Sequence, residues 1–391
     1  MNGAGVIRYG GGPFDFRKAF IRTCARLQRK QVVILDKDPE LCAEVLAGSE
    51  TKGTFLEHLI AIPAWRPIRS IESEDGARWK ELASHSRTIL HNLRWKDRVS
   101  PLVAKHVSLL GEGTIGAEQV STLALQVLVE LLFEQPLSPT DAQLFYRASV
   151  EWRKEIGVKG RADLNVKEVF CRRLTELLRD SQYGAGVGEH ASDPQVWLSV
   201  FAQPFIISPQ INVSDVMVAV FKCLTADQGQ FAEAKRRTAA GDDAYLDAVI
   251  MESMRLAHPF PILERELRVP MTFDGETYPP GTQVLITLDR FVQDPTFNPQ
   301  SWLSLGSKHP FHPLLFGAGQ RVCLGKALAK ALMLEMLRAF LPLEPAQRLQ
   351  PSLGHLHSGR HNDSQQSLQE SLYQLRVFSR ALWRSHLIGR R

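Results

Sequence analysis

FGAGQRVCLG, residues 316–325, holds three glycines, one arginine and one cysteine, and an apolar helical run starts directly after it. A cysteine just ahead of a helix sits where peptide N–H groups and the helix dipole favour thiolate over thiol. Gly317, Gly319 and Gly325 let the backbone pass close to something flat or bulky. Arg321, two residues before Cys323, offers a fixed positive charge that can pair with a carboxylate. A thiolate on a glycine-rich loop beside an arginine suits haem, with sulfur on the iron and guanidinium on a propionate. The same residues also describe a buried cysteine next to a tight turn. At this level both readings stand.

The rest of the chain narrows the class. It has 391 residues, 44% hydrophobic and 23% charged, the balance of a globular protein with a substantial core. No uninterrupted apolar run of spanning length is present, and the glycine-rich N-terminus lacks the basic-then-apolar order of a secretion signal. We expect no membrane span and a cytoplasmic location. Cys24, Cys42, Cys171, Cys223 and Cys323 form no C-x-x-C pair, which argues against structural zinc and a disulfide framework. A net charge of +5 suits an acidic protein partner better than nucleic acid, which would call for a dense basic stripe.

The predicted fold class is mainly α with a minor β-sheet region, in one domain over 1–391. Helical periodicity starts at DFRKAFIRTCARL and dominates to about residue 256, with QVVIL as a short strand. In DPELCAEVL, Asp38 is placed to cap and Pro39 to open a helix. Alternation, a DG turn and a PPG corner in HPFPILERELRVPMTFDGETYPPGTQVLIT predict a small sheet. KALAKALMLEMLRAFL returns to an amphipathic helix. Residues 1–14 read as a flexible N-terminus, 345–372 as a mobile segment, and YQLRVFSRALW as a final strand.

Taken together the motifs resemble the cytochrome P450 family. FGAGQRVCLG fits that family's F-x-x-G-x-R-x-C-x-G at Phe316, Gly319, Arg321, Cys323 and Gly325. ESMR supplies an E-x-x-R pair, Glu252 and Arg255, on one helix face at i and i+3. Arg265 opens a strand and Gly281 follows 16 positions later, as in the family's propionate-binding strand and P-x-G corner. QDP at 293–295 stands where the family has R-D-P, and EDGARW places Trp79 at the start of its C helix. The resemblance runs over about 38–340 and is specific over 252–330. It implies a P450-like fold, haem b as cofactor and Cys323 as the axial iron ligand. It implies haem contacts from Arg321, Arg265, Phe316, Gly317, Gly325 and Trp79.

Three positions depart from the family's pattern. Ala83 stands where a second propionate arginine follows the tryptophan, with Arg87 one turn on. Ser301, in NPQSW, replaces the arginine that joins the E-x-x-R pair, so a buried contact is expected to be lost there. Over the iron, SPQIN puts Ser208 and Pro209 in place of A-G and Asn212 in place of threonine. The acid and alcohol that normally deliver protons to bound dioxygen are missing from that helix. Ser208 and Asn212 are the candidate distal residues.

The expectation is a haem-thiolate oxidoreductase acting on a small, largely apolar or aromatic molecule by hydroxylation or oxidative coupling, in secondary metabolism. Peroxide use, hydroperoxide rearrangement and a non-catalytic haem sensor or carrier are the alternatives. Lys326, Lys330, Arg78, Lys80, Arg94, Lys96 and Arg98 suggest a basic face for a ferredoxin- or flavodoxin-type donor, or a solvated helix surface. Residues 55–72 and 200–216 are expected to line an apolar pocket, with Trp65, Phe201 and Phe205 as aromatic contacts or core.

Overall fold

A computed structural model describes residues 16–389 except 37, 50, 54, 57–64, 111–114, 158, 186–193, 261, 274, 289–295 and 344–362. The sequence expectations for 1–14, for QDP at 293–295 and for most of 345–372 lie outside the described residues.

The elements in chain order are α1 (Phe16–Leu27), β1 (Val32–Leu35), α2 (Pro39–Gly48), α3 (Gly76–Asn92), α4 (Val99–Ser108), α5 (Ala117–Phe133), α6 (Pro139–Ile156) and α7 (Leu164–Arg179). A long helix follows, made of α8 (Pro194–Phe201), a π-turn (Ala202–Ile207) and α9 (Ser208–Ala226). Next come α10 (Gln228–Ala239), α11 (Asp243–Leu256), β2 (Ile262–Glu266), β3 (Met271–Phe273), β4 (Glu276–Tyr278) and β5 (Gln283–Thr287). The chain ends in α12 (Pro299–Leu305), α13 (His312–Leu315), α14 (Lys326–Phe340) and α15 (Asp363–Gly389). The mainly helical class with a minor sheet is as expected.

Two apolar clusters hold the helices. One joins α4, α5, α9, α11 and α14 around Leu128, Met217, Phe221, Tyr245 and Phe340. The other joins α3, α5, α6, α7 and the 194–207 segment around Phe145, Trp152, Phe170 and Phe201. Both draw on α5 and on the long helix, so those two form the spine of the bundle. Val196–Ala226 is long and apolar enough to cross a membrane by composition alone, but most of its apolar stretch is buried in this spine, as in the core helix of a globular fold.

The π-turn has a local cause. Pro204 and Pro209 each lack the N–H that an α-helix needs, five residues apart, and the ladder widens between them. Ser208 N–H donates to Gln203 O, an i to i−5 bond. The extra residue turns every side chain after it relative to a regular helix.

The sheet runs β1–β5–β2, with β1 parallel and β2 antiparallel to the central β5. Every residue of β5 is buried, and successive side chains serve opposite faces. Val284 and Ile286 join α2 and Leu314 on one face. Leu285 joins α1 and α15 on the other. Arg265 pairs with Val284 in register, so its side chain leaves β2 on the α2 face, toward the cysteine loop.

The C-terminal segment corrects the sequence reading. YQLRVFSRALW is part of the helix α15, not a strand. Val377, Ala381 and Ser385, at i, i+4 and i+8, lie buried on the side facing α1. Gln28 Nε2 donates to Ser385 Oγ at 2.8 Å, and Phe20 packs against Phe378 with centroids 4.8 Å apart.

Candidate haem-thiolate site

The cysteine loop is anchored from behind. Gly319 has φ +68°, and a Cβ there would lie 2.9 Å from both Ala47 Cα and Leu46 O of α2. Only glycine allows this approach without displacing the helix backbone. Gly317 is also left-handed, at φ +72°. Together they turn the chain so that Cys323 N–H donates to Phe316 O at 2.8 Å. Lys326 Nζ sits over the Phe316 ring, 5.5 Å from its centroid.

Cys323 lies two residues before Gly325, the residue that precedes α14. It keeps exposed surface, yet it is deep enough that burial pushes its thiol up. The amides of Gly325 and Lys326 point at the sulfur and pull the other way, toward thiolate. The nearby Glu72 carboxylate opposes ionisation.

Two arginines converge beside the loop. Arg265 is buried, donates through Nη1 to Glu264 O at 2.9 Å, and has no hydrogen-bond partner for Nε. Burial, with repulsion from Arg321 added, brings its guanidinium down to about 10. Arg321 Nη2 donates to Asp75 Oδ1 at 2.6 Å and to Glu74 O at 3.0 Å, and Nη1 reaches Ile71 O at 3.4 Å. Its guanidinium carbon is 4.6 Å from the ring centroid of the buried Trp79, and that of Arg87 is 5.9 Å away. Ala83 is fully buried. Burial works against the Asp75 carboxylate, but the Gly76 amide and Arg321 outweigh it and hold its pKa low.

The chemistry of this corner fits haem. Arg321 is paired with Asp75, while the buried Arg265 keeps an unpartnered Nε that suits a further carboxylate such as a propionate. Gly325 has an ordinary φ of −84°, and among the described residues no atom beyond its chain neighbours lies within 4 Å of where its Cβ would be. The chain itself gives no reason for glycine there, whereas a flat group lying against the loop does. One feature complicates the fit: Arg321 is already held by Asp75, so Arg265 has the freer donors.

The distal segment differs from the sequence picture. The side chain of Gln203, in the π-turn, donates through Nε2 to Ser208 Oγ at 2.9 Å and to Glu72 Oε1 at 3.2 Å. Its Oε1 accepts from Ile71 N–H at 3.2 Å. An acid and an alcohol are therefore joined, with the acid supplied by the loop before α3 rather than by the helix. The same loop bonds to Ser199 through Arg69 N–H at 2.9 Å and to Arg321 through its carbonyls, tying helix to cysteine loop at one edge. Asn212 is half-buried, and no hydrogen bond among the described residues joins it to this group. Trp65, Phe201 and Phe205 are buried in the second helical cluster.

Farther back, Arg255 donates from Nε and Nη2 to the two carboxylate oxygens of Glu252, each at 2.8 Å. The contact expected to be missing at Ser301 is made by its neighbour. Trp302 Nε1 donates to Glu252 Oε2 at 2.9 Å, and Asn298 N–H to Oε1 at 2.9 Å. Trp302 stacks on His309 with centroids 3.7 Å apart. Ser301 itself bonds to Asn298 O.

The expected basic face is only partly available. Arg98 is committed to Leu93, Glu130 and Leu131 carbonyls, and Lys330 to Asp247. Arg78, Lys80, Arg94 and Lys96 are exposed.

Sequence reasoning missed Asp75, Glu72, Gln203 and Trp302. Asp75 was legible as the residue before a helix start, and Trp302 as an indole beside a lost arginine. Gln203 and Glu72 carry no local signal, because they meet only through tertiary structure.

Comparison with known proteins agrees with this geometry. Residues 242–346 match the family model for cytochrome P450. The chain is 36% identical over 94 residues to the mitochondrial 1,25-dihydroxyvitamin D(3) 24-hydroxylase of Mus musculus, covering 22% of this chain and 18% of that protein. It is 36% identical over 110 residues to the lanosterol 14-alpha demethylase of Homo sapiens, covering 24% and 21%. These matches span only about a fifth of the relatives' length. Two solved structures from Thermus thermophilus, of different strains, share the fold more widely. A 6-coordinated cytochrome P450 from one strain gives a TM-score of 0.60 at 20% identity, over 84% of this chain and 90% of that one. A second P450, from the other strain, gives 0.61 at 22%, over 83% and 87%. Family proteins bind haem b. The 242–346 segment is thus similar to the cytochrome P450 family, and the described residues share the fold of the solved P450 structures.

Proposed function

We propose that the chain is a haem-thiolate oxidoreductase that oxidises a small, largely apolar organic molecule. The observation that carries this reading is Cys323, with two amides directed at its sulfur and two convergent arginines beside it. In this reading Cys323 Sγ holds the iron, Arg265 and Arg321 hold carboxylates of the group, and Gly317, Gly325, Phe316 and Trp79 shape its seat. Haem b, when bound, supplies the redox-active iron on which dioxygen or peroxide is activated.

The remaining work falls to the chain. Gln203 Nε2 fills the acceptor side of Ser208 Oγ, so the Ser208 hydroxyl hydrogen is free to point elsewhere. Glu72, on the other hydrogen of the same amide, fixes the direction in which Gln203 donates. Ser208 is then an oriented donor in an otherwise apolar wall, a substitute for the missing acid–alcohol pair of the helix. Asn212 is a secondary candidate for substrate contact. Exposed Arg78, Lys80, Arg94 and Lys96 suit an acidic ferredoxin- or flavodoxin-type donor.

The test is the absorption spectrum of dithionite-reduced protein under carbon monoxide, beside Cys323→Ser. A far-red Soret band in the wild type that is absent in the variant is expected. The same spectrum from both, or no haem in either, would sink the reading. A thiolate spectrum with no turnover by electrons or peroxide, over a panel of apolar and aromatic substrates, would leave a haem-binding carrier.

A further inference from the structure

α15 uses one side to dock on α1 and leaves the other uncovered. Leu375, Leu382, Trp383 and Leu387 are 57%, 36%, 65% and 42% exposed. At 100° per residue these four fall within roughly 140° of arc, opposite the docked Val377 and Ala381. Isolated exposed apolar residues are ordinary, but four on one face, one of them a tryptophan, are not.

Charge decides what this face suits. Arg376, Arg380 and Arg384, spaced i, i+4 and i+8, run as an exposed stripe along one edge of the apolar arc. On the adjoining α1, Arg22 and Arg26 are exposed, as are Arg29 and Lys30 just after it. Neither α1 nor the stretch 373–388 of α15 contains an aspartate or glutamate. A symmetric contact with a second copy would bring arginine stripes together with no carboxylate to neutralise them. A bilayer surface with anionic headgroups meets both demands, because acyl chains take the leucines, the interface takes the indole, and the phosphates take the guanidiniums.

We propose that the outward face of α15 binds the surface of anionic membranes, with Leu375, Leu382, Trp383 and Leu387 inserted at the interface and Arg376, Arg380 and Arg384 on lipid phosphates. This is peripheral attachment of a docked helix, not a span. It does not depend on the haem-thiolate reading.

The experiment is co-sedimentation of the full chain with phosphatidylcholine vesicles and with vesicles that also contain phosphatidylglycerol. Two variants accompany the wild type: Trp383→Ser with Leu387→Ser, and Arg376→Gln with Arg380→Gln and Arg384→Gln. All substituted side chains are exposed, and unchanged circular dichroism and urea midpoint establish that each variant is folded. Wild type is expected to bind the anionic vesicles only, less tightly as salt rises. The triple arginine variant is expected to lose about two orders of magnitude of affinity at low salt, and the apolar variant to lose binding even there. Equal binding to neutral vesicles, no binding to anionic ones at low salt, or binding unchanged in both folded variants would overturn the proposal. Reversible dimerisation without lipid, abolished by the Trp383 and Leu387 changes, would assign the face to a second copy instead. Binding to an acidic protein such as a ferredoxin but not to vesicles would assign it to a protein partner.

Discussion

At the scale of single residues, two contacts that the sequence motifs did not show carry measurable consequences. The Glu252 carboxylate is 1% exposed and accepts from Arg255, Asn298 N–H and Trp302 Nε1. Trp302→Phe keeps the aromatic surface on His309 but removes one donor to a buried charge, worth about 1.5–3 kcal/mol. We expect the unfolding free energy to fall by that amount, read as a lower urea midpoint with an unchanged slope; an unchanged midpoint would mean that the indole bond adds nothing. Asp75 gives a pH-dependent counterpart. Burial opposes its ionisation, but the Gly76 amide and Arg321 hold its carboxyl below the ordinary value. A depressed folded pKa contributes stability that is complete above the unfolded value, about 3.9, and is lost as pH falls through the folded one. The wild type should therefore exceed Asp75→Asn in urea midpoint at pH near 6, with the difference closing below about pH 4. A difference that stays constant down to acid pH would show that the carboxylate's charge is not what holds Arg321.

At the scale of elements, the π-turn is where sequence pattern and structure part. It brings Gln203 onto Ser208 and Glu72, and the proposed role of that group predicts a split between oxidants. Ser208→Ala should lower turnover driven by electrons and dioxygen by on the order of 10²-fold. Turnover driven by peroxide, whose oxygen arrives already protonated, should change little, and the carbon monoxide spectrum not at all. Equal loss with both oxidants would make Ser208 a substrate-positioning residue, not a proton donor. Gln203 was illegible beforehand because a π-turn adds one residue without disturbing the run of apolar letters. What could be read was the pair of prolines, 204 and 209, each unable to donate inside a helix. The strand expected at YQLRVFSRALW failed for a related reason. Tyr373, Leu375 and Val377 alternate as a strand would, while Val377, Ala381 and Ser385 repeat as a helix would. Local pattern permits both, and burial of the second set against α1 decides. The cysteine loop was legible throughout, because its glycines, cysteine and arginine act through backbone geometry written in consecutive residues. The pairing of Arg321 with Asp75 joins positions 246 residues apart and had no such signature.

At the scale of the whole molecule, the sheet separates two functions of the fold. Its α2 face, through Val284, Ile286, Leu46 and Gly319, supports the cysteine loop and Arg265. Its other face, through Leu285, carries Phe20, Ile21, Cys24, Ala25 and Ala381, the seam where α1 and α15 meet. The three clusters that hold the helical bundle and the cysteine loop include no residue of α15. Release of α15 should thus leave the site intact. Ala381 is 1% exposed, and Ala381→Glu places a carboxylate in an apolar seam whose cluster holds no cation among the described residues, a change of several kcal/mol against docking. We expect trypsin to cut that variant rapidly at Arg376, Arg380 or Arg384, while wild-type α15 is protected on its docked side. The clipped or undocked protein should keep the carbon monoxide spectrum of the intact chain and a thermal transition of similar enthalpy. Loss of the spectrum together with release of α15 would mean that β5 transmits packing from one face to the other, and that the terminal helix helps to hold the cysteine loop in place.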